Sequence, residues 1–292
     1  MSSTDPLPEL LDHSQMLLRS VTDRVMAWRE RDQPFPNTTA NVLINVFFAR
    51  SARTYQAVVE HLGNHGFGEQ GAMLNRSLYE DMVDARWVSL HPGEADERLR
   101  QHHRYSEQLR LDTARRFPDF FGDAIKDQKL DPPMGDAERA ELCGHFGRWG
   151  QGSWTGLDLH KRFREVLPTW HDERQRRQAE FVHSWLHRLN NETIHPTAYS
   201  LGKLGAPTSV GDELHFRLGS TEHLLEDVLW FAFWVYTQVV ALLFEVFQLD
   251  GWDELHAEVV VPGLGAFAKA SSSQAGPDDA TGPESGAPNP AP

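Results

Sequence analysis

The chain has 292 residues, of which 40% are hydrophobic, and a formal net charge of −14 at pH 7, which suits one large soluble domain. Its single cysteine, Cys143, excludes an intramolecular disulfide and a zinc site built on several thiolates, and suits a reducing compartment. The negative charge argues against bulk, nonspecific nucleic-acid binding, which depends on Lys and Arg. The polar first residues contain no basic or apolar leader segment, so we expect no signal peptide and a cytoplasmic protein.

Apolar residues recur at helical spacing along most of the chain, and proline or glycine separates the periodic stretches. This pattern predicts helices over residues 8–31, 39–64, 69–90, 94–116, 136–146, 168–192 and 221–249. The segment 196–220 is rich in glycine and proline and is expected to be a loop. Only residues 258–261 resemble a strand. The expected fold class is therefore all-α, a bundle of six or seven helices with a disordered C-terminal tail.

Composition also predicts the domain boundaries. Residues 1–38 are expected to form an N-terminal amphipathic helix and linker, and residues 39–262 the helical bundle domain. Residues 263–292 are expected to form the disordered tail. Most of this segment is Ser, Gly, Pro and Ala, which cannot bury enough apolar area to order it.

The apolar run 228–244 resembles a membrane span. It is shorter than the roughly 20 residues that a spanning helix needs. Asp227 and Glu245 bound it, and no Lys or Arg lies close enough to anchor it at a membrane surface. The pattern therefore favours a central buried helix of the bundle, and no membrane association is expected.

The stretch that ends at His195 is the strongest candidate for a functional site. Arg188, Asn191 and His195 are spaced i, i+3 and i+7, so they share one face at a predicted helix end. Metal-free RNA cleavage needs a group that moves protons and a cation for the phosphate, and a histidine and an arginine supply these. Asn191 could orient the imidazole. The alternative is a capped helix end without chemistry, with His195 in a turn fixed by Pro196.

Arg76 and Glu80 form an i, i+4 pair among apolar neighbours on the predicted third helix. Partly buried ion pairs seldom add net stability, so they often mark a site or a specificity element. The alternative is an ordinary surface pair, worth about 0.3–0.5 kcal/mol.

Two further patterns are less specific. His183 and His187 are spaced i, i+4, as in some metal sites, but no third ligand is evident, and we expect no metal. The segment 149–156 places glycines between Trp149 and Trp154, which suggests a loop folded over a cleft. It lacks the lysine of a phosphate-binding loop, so a packing loop is the favoured interpretation.

Three motifs follow one another in chain order: Arg76-Ser-Leu-x-Glu80, Ser153-Trp-Thr-Gly156, and an Asn-rich helix ending at His195-Pro196-Thr197. Together they resemble a widespread prokaryotic helical family, domain-of-unknown-function family 5677. The resemblance covers roughly residues 40–247 and rests on the order and spacing of the motifs. It implies a helical domain and no particular activity.

A looser resemblance is to the HEPN superfamily, helical bundles common in toxin–antitoxin and phage-defence systems. Its ribonuclease members carry an arginine and then a histidine near a helix end, often with two protomers forming one cleft; the separation of Arg188 and His195 fits the outer limit of their spacing. This resemblance implies a metal-independent endoribonuclease without a cofactor. His195 would be the general acid and base, Arg188 the phosphate clamp and Asn191 the orienting group. Arg76 and Glu80 would support the cleft.

The expected partners follow from this hypothesis. RNA would bind through the locally basic segment 161–188, a homo-oligomer is expected, and DNA is not. The rival hypothesis is a non-enzymatic interaction or dimerisation module, in which the same motifs hold the bundle together. A third alternative is a small-ligand or nucleotide binder that uses the 149–156 loop.

Overall fold

Helices make up almost all of the computed structural model, which describes residues 5–30, 38–120, 129–130, 132–150, 152–194, 208–210, 213–215 and 224–274. For residues 186–194, 208–210, 213–215 and 272–274 it describes the backbone alone. The α-helices of these ranges are α1 (Leu7–Arg29), α2 (Thr39–Gln56), α3 (Gly68–Leu90), α4 (Pro92–Arg116), α5 (Asp136–Phe146), α6 (Leu159–Val166), α7 (Glu173–Ile194), α8 (Leu225–Val246), α9 (Trp252–Leu255) and α10 (Val261–Gln274). The all-α fold class is therefore confirmed.

Several helices begin where short polar side chains or proline stand. The Thr38 hydroxyl accepts a hydrogen bond from the Asn41 backbone N–H at 3.2 Å, which caps α2. The Asp158 carboxylate accepts one from the Lys161 N–H at 2.8 Å and caps α6. Pro92 occupies the first position of α4, where its fixed φ suits a helix and its missing N–H costs no hydrogen bond.

α8 is the central helix of the bundle and packs against α1, α2 and α3. Most of its side chains are buried, from Leu225 to Phe244. Close approach to α3 depends on Gly71, because a Cβ atom at that position would lie 2.6 Å from a Val228 methyl carbon. The Asn75 amide also donates a hydrogen bond to the Val228 carbonyl at 2.8 Å. The apolar run predicted to be a buried helix is therefore the core of the fold.

This helix is also long and apolar enough to cross a membrane by length and composition, and 78% of its most apolar window is buried inside the fold. Such burial is typical of a core helix.

A second, smaller hydrophobic cluster lies between α4 and α5. Tyr105, Leu142 and Phe146 form it, apart from the large core of the other helices. α4 continues into a single 3-10 turn, Pro118–Phe120. The Arg104 guanidinium holds the segment before α5, since it donates hydrogen bonds to the Pro132 carbonyl at 2.8 Å and to Glu138 at 3.1 Å.

The structure corrects four details of the predicted secondary structure. Residues 258–261 are helical rather than extended, because a π-helical turn, His256–Val260, joins α9 to α10. Residues 263–274, expected to start the disordered tail, belong to α10, where Phe267 is buried. α6 was not predicted. The expected loop 196–220 contains a short antiparallel hairpin of β1 (Thr208–Val210) and β2 (Glu213–His215).

Candidate functional site

The predicted catalytic residues fall at the edge of the described chain. The predicted helix that carries them is α7, which ends at Ile194, directly before His195. His195 lies outside the described residues. Arg188 and Asn191 lie on α7, but their side chains also lie outside what the structure describes. Their proposed roles therefore stay predictions.

The Arg76–Glu80 pair is present on α3. Arg76 Nε donates to Glu80 Oε1 at 3.0 Å, and the two side chains are 38% and 37% exposed. A pair with this much exposure contributes about 0–1 kcal/mol. It is therefore not a buried structural bridge, and both charged groups remain accessible to a ligand.

α3 and α7 run antiparallel. Beside the start of α7, Arg86 of α3 donates a hydrogen bond to Thr169 at 3.3 Å. Nearer the start of α3 and the end of α7, Tyr79 contacts His183. At 1.5 Å per residue, continuing this register brings the α7 backbone at Arg188 level with Leu74 on α3. That level is within one helical turn of Arg76.

A chain of polar atoms leads from the surface into this helix pair. The Tyr79 hydroxyl lies 2.8 Å from His183 Nδ1, and His183 Nε2 lies 3.0 Å from Nδ1 of His160. Burial raises the pKa of Tyr79 well above its usual value, opposed in part by the positive charge of Arg162. The hydroxyl therefore stays protonated, and where it donates to His183 Nδ1, the ring hydrogen of His183 lies on Nε2, facing His160 Nδ1.

This chain fixes the environment of His183. The Phe163 ring stacks on the imidazole at 4.0 Å between centroids. His183 is buried whereas His160 is exposed. Because hydrogen bonds engage both ring nitrogens of His183, metal binding by this residue would require one of them to break. The side chain of His187, its partner in the i, i+4 pattern, lies outside the described residues.

Two buried carboxylates on α3 pair with arginines, an arrangement that the sequence analysis missed. Asp84 pairs with Arg162 of α6, and each side chain is 6% exposed. Trp154 Nε1 donates to the other Asp84 oxygen at 2.9 Å. Asp81 is fully buried and accepts a hydrogen bond from Arg50 Nε of α2 at 2.8 Å.

Glu80 links these pairs electrostatically. Burial lowers the pKa of both Arg50 and Arg162, and the negative charge of Glu80 opposes that shift in each case. The half-exposed motif pair therefore lies next to the buried charges. A signal for these buried charges exists in the sequence. Residues 80, 81, 84 and 86 are charged within a stretch of α3, residues 78–88, whose other members are all apolar or aromatic.

Arg162 also changes the expected basic patch. It was counted among the basic residues of segment 161–188, but it faces Asp84 in the interior. Arg177 pairs with Glu173 at 2.7 Å, and Arg176 donates to the Trp170 carbonyl at 3.1 Å. The segment therefore presents less positive charge to a ligand than its composition indicates.

The part of segment 149–156 around Trp154 packs against the interior, as favoured, whereas Trp149 is 65% exposed. The Trp154 ring lies against Phe47 and Trp87, with centroids 6.2 and 5.9 Å away. A Cβ atom at Gly152 would lie 2.7 Å from the Phe146 carbonyl oxygen, so only glycine fits there without a shift. Thr155 is fully buried. The loop thus fixes α6 and α3 relative to each other.

The chain was compared with known proteins. A family model described as "Family of unknown function (DUF5677)" matches residues 41–209. No curated protein and no solved structure matches the chain significantly. The matched region runs from the third residue of α2 through α7, and it contains both buried carboxylates with their arginines and the Arg76–Glu80 pair.

Proposed function

The chain belongs to the Family of unknown function (DUF5677), and since that description names no activity, we propose that it is a HEPN-like, metal-independent endoribonuclease. The register of α3 and α7 carries the proposal. Extended from the Tyr79–His183 contact, this register would bring the α7 backbone at Arg188 to within about one helical turn of Arg76, whose pair with Glu80 is accessible. The setting we propose is a cytoplasmic one, in prokaryotic defence or a toxin–antitoxin system.

The proposed reaction moves one proton and breaks one P–O bond. His195 takes the proton of the RNA 2′-hydroxyl, and the 2′-oxygen attacks the adjacent phosphorus. Arg188 holds two phosphate oxygens and stabilises their negative charge. His195 then returns the proton to the leaving 5′-oxygen. The products are a 2′,3′-cyclic phosphate and a 5′-hydroxyl end.

The buried contacts of α7 support this assignment, because a catalytic helix must be held firmly. Tyr79 and His160 bind His183 on one side of α7, and Arg86 binds Thr169 just before the helix begins. Burial lowers the pKa of Arg86 to about 10. Its guanidinium group also stacks on Trp170, with the guanidinium carbon 4.4 Å from the ring centroid.

The test is cleavage of transfer RNA in the presence of EDTA. Wild type and His171→Ala, a control at an exposed histidine before α7, are expected to release fragments with 5′-hydroxyl ends. His195→Ala is expected to lose about 10²-fold or more in rate. Equal cleavage by a His195→Ala variant whose circular dichroism is unchanged would exclude this site. No cleavage by wild type would favour the second candidate.

The second candidate is a non-enzymatic dimerisation module, and a cluster of exposed aromatic residues favours it. Phe181 and Trp185 of α7 are exposed and line, with Trp230 of α8, a cleft of about 620 Å³. Exposed aromatic clusters are typical of protein interfaces. The proposed occupant is a second copy of this chain.

A dimer through this cleft predicts that the double substitution Phe181→Ser and Trp185→Ser produces monomers in sedimentation velocity experiments. Phe120→Ser is the matched control, because Phe120 is exposed but lies at the end of α4, away from the cleft. A wild-type protein that sediments as a monomer at every concentration would contradict the module.

A further inference from the structure

A second cleft combines arginines with exposed aromatic rings in an otherwise acidic protein. It lies between the end of α4 and the turn that follows α5, with a volume of about 570 Å³. Small-molecule sites typically have roughly 300–1,000 Å³. Its charged and aromatic lining consists of Arg110, Asp112, Arg116, Phe117, Arg139, Arg148 and Trp149.

Two of these arginines have no carboxylate partner among the described residues. Arg110 pairs with Glu107 at 2.8 Å, and Arg139 pairs with Asp112 at 2.6 Å. Arg116 and Arg148 instead lie over the rings of their chain neighbours, with guanidinium carbons 5.1 Å from the Phe117 centroid and 5.0 Å from the Trp149 centroid. Both guanidinium groups are exposed, so an anion can reach them without breaking an ion pair to any carboxylate that the structure describes.

The rings indicate which anion. Trp149 is 65% exposed and Phe117 is 44% exposed, although both are large apolar side chains. A bare phosphate has no planar group that could stack on these two rings, and an acidic side chain has no aromatic one. A nucleotide does, because its base stacks on aromatic and guanidinium planes while its phosphate binds arginine.

The turn that carries Arg148 and Trp149 is held in place before any ligand binds. The Tyr105 hydroxyl donates to the Gly147 carbonyl at 3.1 Å. Gly150 has φ +64°, a left-handed conformation that favours glycine, and it lies close to Leu109 of α4. Helix capping would explain Arg116 at the end of α4, but it would not explain Arg148 or the exposure of Trp149.

We propose that this cleft binds a nucleotide unit, with Trp149 and Phe117 stacking on the base and Arg116 and Arg148 binding the phosphate. The source of the nucleotide is either a single-stranded RNA or a free nucleotide. This binding does not require His195, so the proposal goes beyond the cleavage reaction and stands without it.

The test measures fluorescence anisotropy of a short labelled single-stranded RNA in the His195→Ala background, where cleavage cannot consume the probe. Trp149→Ala and the double substitution Arg116→Gln and Arg148→Gln are each expected to weaken binding roughly tenfold. The control is Arg100→Gln, because Arg100 is an exposed arginine of the same helix, about 24 Å from Arg116 along α4.

The outcomes separate the sources and the proposals. Displacement of the probe by adenosine monophosphate would identify a free nucleotide as sufficient, whereas resistance to it would identify single-stranded RNA; both support the cleft. Absence of binding to either, or equal binding by all variants, would overturn it. A wild-type protein that binds the probe but does not cleave RNA would contradict only the proposed ribonuclease.

Discussion

At the scale of single residues, Asp81 and Asp84 show two ways of compensating a buried carboxylate. Both lie on α3, one turn apart, and both pair with an arginine from a neighbouring helix. Arg50 remains 54% exposed, whereas Arg162 is buried with its partner. Removing one member of a fully buried pair leaves an uncompensated charge, which costs more than the pair contributes.

Arg162→Met is therefore expected to lower the free energy of unfolding by about 3–5 kcal/mol, since Asp84 would keep only the Trp154 N–H. Urea denaturation followed by circular dichroism measures the loss. Arg76→Met is the control; it disrupts a half-exposed pair and should cost about 0–1 kcal/mol. Similar losses in both variants would mean that Asp84 is not buried as described.

The residue scale is also where prediction from sequence was least complete. The Arg76–Glu80 pair could be predicted, because i, i+4 spacing on a helix brings the two side chains together without knowledge of the fold. The Asp84–Arg162 and Tyr79–His183 contacts could not. They join residues that are 78 and 104 positions apart in the chain. Only the packing of α6 and α7 on α3 brings these residues together.

At the scale of helices, the contact of α3 with α8 depends on a missing side chain. Gly71 weakens α3 intrinsically, because glycine is a poor helix former. It is tolerated since Val228 occupies the space that a Cβ atom would need. Gly144 of α5 has no atom within 4 Å of such a position, so it offers a matched comparison.

Gly71→Ala is expected to destabilise the protein by about 1–3 kcal/mol, because overpacking outweighs the gain in helix propensity. Gly144→Ala should instead stabilise it, by up to about 1 kcal/mol. Thermal unfolding of the two variants beside wild type measures both signs. A stabilised Gly71→Ala variant would show that α3 and α8 pack less closely than described.

Most helices could be predicted because their apolar periodicity is long and their ends carry proline or polar caps. α6 was missed because it has only eight residues, too few for periodicity to be distinguished from chance. Residues 258–261 look extended locally, since valine favours strands. Their helical state comes from packing, which buries Val259 and Val260 against the main core.

At the scale of the whole molecule, the protein contains two hydrophobic clusters of unequal size. The larger is built around α8, and the smaller consists of Tyr105, Leu142 and Phe146. His102 packs edge-on against Phe146, with centroids 5.1 Å apart. A small cluster has few buried contacts, so it should open at a lower free energy than the main core.

Acidification is expected to loosen the small cluster first. Burial, with a contribution from nearby His103, lowers the pKa of His102 below 6.5. The folded state therefore binds fewer protons than the unfolded state, and its stability falls as the pH drops through about 6.5 toward the lower folded pKa. Between about pH 7.5 and pH 5.5, hydrogen-exchange protection in α5 should decrease more than in α8.

His102→Leu provides the control for that experiment, because it keeps an apolar contact with Phe146 and removes the titrating group. The variant should lose the selective effect of acid on α5. If α5 and α8 lose protection in parallel in the wild type, the two clusters open as one unit and His102 does not control the smaller one.

The place of α8 in the chain has a consequence for biosynthesis. Its partners α1, α2 and α3 are all made before it, and the hydrogen bond from Asn75 to Val228 spans 153 residues. At roughly 5–20 residues per second, a ribosome needs roughly 8–30 s to cover that distance. Throughout this interval the apolar faces of α2 and α3 cannot pack against α8, because it has not yet been synthesised. A nascent chain that stalls before α8 therefore leaves exposed the apolar side chains of α2 and α3 that pack on α8 in the complete protein.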